Sequence, residues 1–365
     1  MNKVTQQSSV SKTNYNGIDI ARLICAILVM MIHVPPLGNL GGIGVFKYLN
    51  YGIEGYATRI AVPFFFVCSG FFFYRKTTLD DFNIQLTKNY VFRLLKLYII
   101  WSAIYLPLYV EDMFKPGEKL WYFVLIYIRS FIFIGSYTQL WYFPALIFGI
   151  IITSFLLYKK VKPRTLIYLA TFFYLIGLLT QSWFGIIEPL RYKSPLFWSF
   201  LKLVQSIIYT TRDGLFEGFL FVGIGMLFAL KNITLSKRKA LVGFIISMFL
   251  MLIEAFFLKY FSFVRESNTY LFLVPATFFG FSYVKDIKIA DKPYFLVIRK
   301  MSSLIFYMHL WVAKVVNKIL YTIYQPLTRT SMLFIITLFI TVCISLIIIK
   351  LSEHKKFKWL KMLYV

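Results

Sequence analysis

Residues 19–36 read DIARLICAILVMMIHVPP. As a helix this stretch rises about 27 Å, close to the roughly 30 Å of bilayer hydrocarbon. It nevertheless carries Asp19, Arg22 and His33. Ionisable groups inside a membrane are expensive unless they face other protein or a water-filled cavity. A helix turns about 100° and rises about 1.5 Å per residue. Arg22 and His33 therefore fall within about 20° of one face and about 16 Å apart along the axis, with Asp19 on the same stripe. Leu23, Ile27 and Met30 fall on other faces. Each polar residue also has a plainer reading: Asp19 as a helix cap, Arg22 as a snorkelling cation, His33 beside Pro35 and Pro36 as an interfacial group. None of the three explains the shared face, which is expected to look into a helix bundle or cavity.

The rest of the chain has the same character. Of 365 residues, 59% are hydrophobic and only 15% charged, too few charges for a soluble domain of this length. Continuous apolar runs at 18–36, 56–74, 90–110, 139–158, 164–184, 213–230, 240–258, 269–284, 296–320 and 332–351 predict an all-α, polytopic helical membrane protein of about ten spans. The runs do not alternate, which argues against a transmembrane β-barrel. The stretch 121–135 is also apolar. Leaving it as an interfacial or re-entrant element, with Trp121 and Tyr122 at the headgroups, sends 25 of the 40 Lys and Arg to the inner side. The positive-inside rule then places both termini in the cytoplasm. Expected divisions are a polar tail over 1–17, a membrane domain over 18–351 and a basic tail over 352–365. The first 17 residues do not read as a cleavable signal.

The net charge of +25 fits cytoplasmic loops and anionic lipid, so the bilayer is an expected partner and nucleic acid is not. Cys25, Cys68 and Cys343 each sit in an apolar run without metal-ligand spacing, so neither a disulfide framework nor a metal site is expected. The segment 185–212 reads either as a lid or acceptor surface or as an ordinary loop with an amphipathic piece.

A cation near the inner end of a span and an imidazole about 16 Å further out suit a long, phosphate-bearing donor such as coenzyme A. Arg matches phosphate in charge and in bidentate geometry. His is a general base near neutral pH. The R-x10-H pair, the acidic residue of GIDIAR, RIAVPFFFVCSGFFFYRK (59–76), RLLKLYIIW (93–101), LWYFPALI (140–147), RDGLFEGFLFVGIGMLF (212–228) and SLIFYMHLW (303–311) together resemble the acyltransferase 3 family of membrane acyltransferases. The resemblance covers essentially the whole chain. It implies an O-acyltransferase of the bacterial plasma membrane. The donor would be cytoplasmic acyl-CoA, with acetyl-CoA favoured, and the acceptor a hydroxyl of an envelope or surface glycan. It also implies that His33 is catalytic, that Arg22 either meets the donor's phosphates or has a positioning role, and that Arg93 belongs to a basic block at the donor site. Lys96 stands where the family has a second basic residue. His309 falls where members have His-Pro, but Leu310 follows it, and a packing role is the simpler reading.

Further candidates are Arg75 and Ser69 at the donor site, with Arg75, Lys76, Arg93 and Lys96 forming an electropositive mouth. Glu54 and Glu217 are candidate acids to orient His33, since Asp19, about 21 Å along the helix, is too far away. Asp19 is expected to pair with Arg22 or a neighbouring basic group. Arg59, Trp141 and Arg212 are candidate acceptor contacts. Topogenic charge, helix packing, a structural Arg–Glu pair and interfacial Trp remain the alternatives for these residues. The blocks TRIAVPFFF and TRDGLFEGFLFVGIG also resemble the membrane half of vancomycin-resistance serine racemases. That likeness implies transport or permease-like handling of L-serine. The chain runs only about ten residues past its last expected span, so a racemase domain is not expected in it.

Overall fold

The computed structural model describes residues 14–38, 52–53, 55–78, 82–114, 117, 119–208, 210–322 and 326–364. Of the predicted site residues, Glu54 lies outside them. In hydrocarbon every backbone N–H and C=O must find a partner within the protein, and the apolar runs do so as helices. They are α1 (Asn16–His33), α2 (Ala61–Tyr74, after a 3-10 turn Ala57–Ile60), α3 (Ile84–Met113), α4 (Leu120–Phe133), α5 (Tyr142–Tyr158, after a 3-10 turn Thr138–Trp141) and α6 (Pro163–Leu179). They continue with α7 (Pro195–Ile208), α8 (Phe219–Leu230, after a π turn Gly214–Gly218), α9 (Lys237–Tyr260), α10 (Leu273–Lys285), α11 (Tyr294–Tyr321) and α12 (Pro326–Leu351).

Seven helical stretches among the described residues are long and apolar enough to cross a bilayer; an eighth is added if Pro163–Leu179 and Phe184–Lys193, bent by 77°, form one broken span. The protein is therefore an all-helical, multi-pass membrane protein. The expected spans 213–230 and 269–284 correspond to shorter helices, Gly214–Leu230 and the 13-residue α10. The ambiguous stretch is the 14-residue α4, about 21 Å long and short of a full crossing. Residues 184–208 form short helices, tied back where Gly185 N–H donates to the Phe263 carbonyl at 2.9 Å.

Helix α2 lies at the centre, against α1, α5 and α8. Its contact with α8 is backbone to backbone: a Cβ on Gly70 would strike the Val222 carbonyl, and one on Gly225 the Val67 carbonyl. Small residues permit this close approach, the main source of helix–helix attraction in lipid.

Helices α1 and α11 run side by side in the same direction. Arg299 donates from Nε to Asp19 Oδ1 at 2.9 Å and from Nη2 to Oδ2 at 2.8 Å. Asp19 is 1% exposed and Arg299 43%. One turn on, Arg22 Nη2 donates to the Ser303 hydroxyl at 3.2 Å. At the other end His33 stacks on His309, ring centroids 5.4 Å apart and planes at 28°. The segment after α12 folds back as a 3-10 helix (Lys355–Leu363). There Trp101 Nε1 donates to the Leu363 carbonyl at 3.0 Å, and the Tyr364 and Ser352 hydroxyls lie 2.7 Å apart.

Two outcomes follow from this packing. Asp19→Leu leaves a guanidinium facing a buried apolar wall and lowers stability by the lower end of about 3–5 kcal/mol, because Arg299 is half exposed; adding Arg299→Met recovers most of the loss. Thermal unfolding in detergent reads both, and a double variant no more stable than the single one contradicts the pairing. Gly225→Ala overpacks the α2–α8 contact and lowers stability by about 1–3 kcal/mol; an unchanged midpoint contradicts the close approach.

Candidate active site

Two cavities lie along the α1–α11 seam. The first, about 390 Å³, is at the end where α1 begins. Its polar lining is Arg22, Ser69, Arg93, Arg299, Lys300 and Ser303, and aromatic rings including Phe65, Tyr90, Tyr142, Phe306, Tyr307 and Tyr364 form much of the rest. Four of the six polar groups are cationic. The single carboxylate paired to any of them among the described residues, Asp19, is committed to Arg299. The remaining positive charge suits a polyanion. The Ser69 hydroxyl lies 2.9 Å from that of Tyr142, and the Arg93 guanidinium sits 5.0 Å from the centre of the Tyr90 ring.

The second cavity, about 30 Å³, lies at the end where α1 finishes. Its lining includes His33, Arg59, Gln139, Trp141, Arg212, Glu217 and Asn268. Five separate pieces of chain deliver these groups. Arg59 comes from the 3-10 turn before α2, and Gln139 and Trp141 from the turn before α5. Arg212 precedes the π turn that carries Glu217. That turn is held by Asp213, whose Oδ1 accepts from Leu215 N–H at 2.8 Å and Phe216 N–H at 3.1 Å. π-type turns are rare and frequent at functional sites. This one drives a carboxylate into the bundle, where Glu217 is 3% exposed. The Arg59 and Arg212 Nη1 atoms each donate to Asn268 Oδ1 at 3.1 Å, and the Arg212 guanidinium lies 4.7 Å from the Trp141 ring centre. Both guanidinium groups are thus fixed in direction before any ligand arrives.

Among the described residues, three buried atoms able to accept a hydrogen bond have no protein partner here: Gln139 Oε1 and Glu217 Oε2 in the cavity lining, and His309 Nε2 on the ring stacked against His33. The His309 Nδ1 lies 3.0 Å from the carbonyls of Ile305 and Phe306. Only a protonated Nδ1 can donate to them, so Nε2 carries the lone pair. All three atoms are acceptors. Buried acceptors without partners are uncommon, and together they match a ligand bearing hydroxyl or ammonium donors. The cavity as it stands admits a single functional group rather than a sugar ring. The His33 ring is half-buried and makes no protein hydrogen bond among the described residues, which leaves its nitrogens for a ligand.

The sequence-derived residues separate into two sets. Arg22, Ser69 and Arg93 meet in the first cavity; His33, Arg59, Trp141, Arg212 and Glu217 meet in the second. Arg75 and Lys96 are exposed and line neither; Arg75 stacks instead over Tyr15, 4.6 Å from its ring centre. Of the two expected partners for Asp19, Arg22 or a neighbouring basic group, it is the second: Asp19 pairs with Arg299. Sequence reasoning did not single out Arg299, Ser303 and Phe306, and it read His309 as packing. All four lie at helical spacing on one stretch of α11, and that spacing was the available signal. Tyr364, in the basic tail expected over 352–365, lines the first cavity. Among the described residues no group of His, Cys, Asp and Glu could hold a metal ion.

No solved structure matches the chain. Over 266 residues it is 31% identical to an amino-acid racemase of Enterococcus faecalis, covering 72% of this chain and 36% of that protein. Over 268 residues it is 33% identical to a serine/alanine racemase of Enterococcus gallinarum, covering 73% of this chain and 36% of that protein. The chain thus spans about a third of the length of the curated relatives it matches. The profile of the family described as "Acyltransferase domain" matches residues 15–350. With a cation-lined cavity and a His-lined cavity strung along one polar seam, and a family match from the first helix to the last, the chain belongs to the acyltransferase 3 family of membrane acyltransferases.

Proposed function

We propose that the protein moves a short acyl group, acetyl by family preference, from cytoplasmic acyl-CoA to a hydroxyl of an envelope glycan. Its setting in this reading is the bacterial plasma membrane, with both termini cytoplasmic. The observation that carries the proposal is that Arg22 and His33 share one face of α1 yet open onto cavities at its opposite ends. A donor with phosphates at one end and a thioester on a long arm fits such a site. The phosphates lie among Arg22, Arg93 and Lys300, where guanidinium and ammonium groups make charge-assisted bonds. The arm runs along the aromatic wall past Ser69. Arg75 and Lys96 contribute only through the field at the mouth.

At the far cavity the acceptor hydroxyl meets His33. His33 takes the hydroxyl proton as the oxygen attacks the thioester carbon; the C–O bond forms, the C–S bond breaks, and the proton passes to the departing thiolate. A route in which His33 first carries the acyl group uses the same geometry. Glu217 and the His309 ring orient His33. Arg59 and Arg212, already aimed by Asn268, hold the acceptor hydroxyl's end, with the Trp141 ring backing Arg212.

A second reading has its own observation. One cavity carries two guanidinium groups and a carboxylate, a pattern that fits a zwitterion, and the relatives include a protein named serine/alanine racemase. In that reading the chain carries L-serine across the membrane. Uptake of labelled serine into proteoliposomes, set against acetyl-CoA binding, separates the two.

The purified chain is expected to release thiol from acetyl-CoA and acetylate an envelope polysaccharide preparation. His33→Ala lowers that rate by about 10²-fold or more while retaining acetyl-CoA binding. Arg22→Gln weakens acetyl-CoA binding by about 10-fold or more, as expected for a lost charge-assisted contact. Undiminished transfer by His33→Ala contradicts the assignment.

A further inference from the structure

The two cavities meet at one side chain. Among the described residues, Phe306 alone lines both. It is 4% exposed and is not free to swing. Its ring packs edge-on against Phe65, 5.4 Å between centroids at 63°, and against Tyr142, 5.4 Å at 67°. Tyr142 is in turn tethered to Ser69, 2.9 Å between hydroxyls. Phe65 and Tyr142 line only the larger cavity; Val29, Val62 and Pro63 line only the smaller one. The three rings therefore form a wall across the path from Arg22 to His33. Edge-to-face pairs are stabilised beyond their burial, so moving Phe306 away from Phe65 and Tyr142 costs energy.

We propose that Phe306 sets the acyl-chain length of the donor, a role that rests on acyl-CoA occupying the larger cavity. The thioester carbon must reach a hydroxyl held at His33, on the far side of Phe306. The acyl group is then at the wall when the C–S bond breaks and the ester C–O bond forms. A two-carbon group passes beside the ring. Each added methylene must displace a ring held by two neighbours, and so weakens binding of the donor. Apolar pockets discriminate single methylenes by roughly 10- to 200-fold, which a packed aromatic wall can supply.

The test uses the full chain in detergent and measures dissociation constants for CoA, acetyl-CoA, butyryl-CoA and hexanoyl-CoA by titration calorimetry, so no acceptor is needed. In the wild-type chain hexanoyl-CoA is expected to bind about 10-fold or more weakly than acetyl-CoA. In Phe306→Ala the two bind equally, or the longer chain binds better. Phe306→Leu, which keeps an apolar filler and protects against loss of folding, gives an intermediate ratio. A wild-type chain that binds hexanoyl-CoA as well as acetyl-CoA overturns the proposal, as does a ratio unchanged by both substitutions. If the wild-type chain binds no CoA thioester, the donor assignment itself falls, an outcome distinct from the other two.

Discussion

A carboxylate with almost no access to solvent, in the first turn of the first span, holds this structure in register. Asp19 could not remain charged in hydrocarbon alone. The two-pronged bond from Arg299 supplies the counter-charge and satisfies both oxygens at once. A bidentate guanidinium–carboxylate contact is directional, so it fixes how α11 is turned and how far along α1 it sits. With that register set, Arg22 meets Ser303 and His33 meets His309. A slip of one residue on α11 would turn its polar face by about 100° and dissolve all three contacts.

The same seam separates two electrostatic environments. At the end where α1 begins, Arg22, Arg93 and Lys300 surround space large enough for part of a nucleotide and its arm. At the end where it finishes, two guanidinium groups aimed by one amide, and the unpartnered acceptors Gln139 Oε1 and Glu217 Oε2, surround a space the size of one functional group. The first rewards charge, the second directional hydrogen bonding. A reaction that joins a polyanionic donor on one side to a hydroxyl on the other needs both, and needs them kept apart so that water does not run between them. Phe306, packed on Phe65 and Tyr142, is the side chain that borders both spaces among the described residues.

Much of this is legible in the amino-acid sequence itself. Continuous apolar runs place the helices, since lipid leaves the backbone no other solution. Helical periodicity puts Arg22 and His33 on one face. The Gly70–Gly225 contact could be anticipated only as a small residue in an apolar run. The partner of Asp19 was not visible, because Arg299 lies 280 residues away and local periodicity carries no information about which helices touch. His309 looked like packing because a lone His on an apolar helix usually is. What distinguishes it, a ring stacked on His33 with one nitrogen locked by the backbone, is tertiary. Arg75 and Lys96 show the converse: proximity in sequence to Ser69 and Arg93 does not decide which way a long side chain points. Glu217 depends on a π turn that no hydropathy pattern announces.

A structure of the protein determined with acetyl-CoA bound, by electron microscopy in lipid nanodiscs, bears most directly on the two-cavity arrangement. The arrangement predicts phosphates beside Arg22, Arg93 and Lys300, with the arm passing Ser69 and Tyr142 and the thioester ending at Phe306, facing His33. Acetyl-CoA bound elsewhere, or bound with its thioester turned away from the α1–α11 seam, would contradict it.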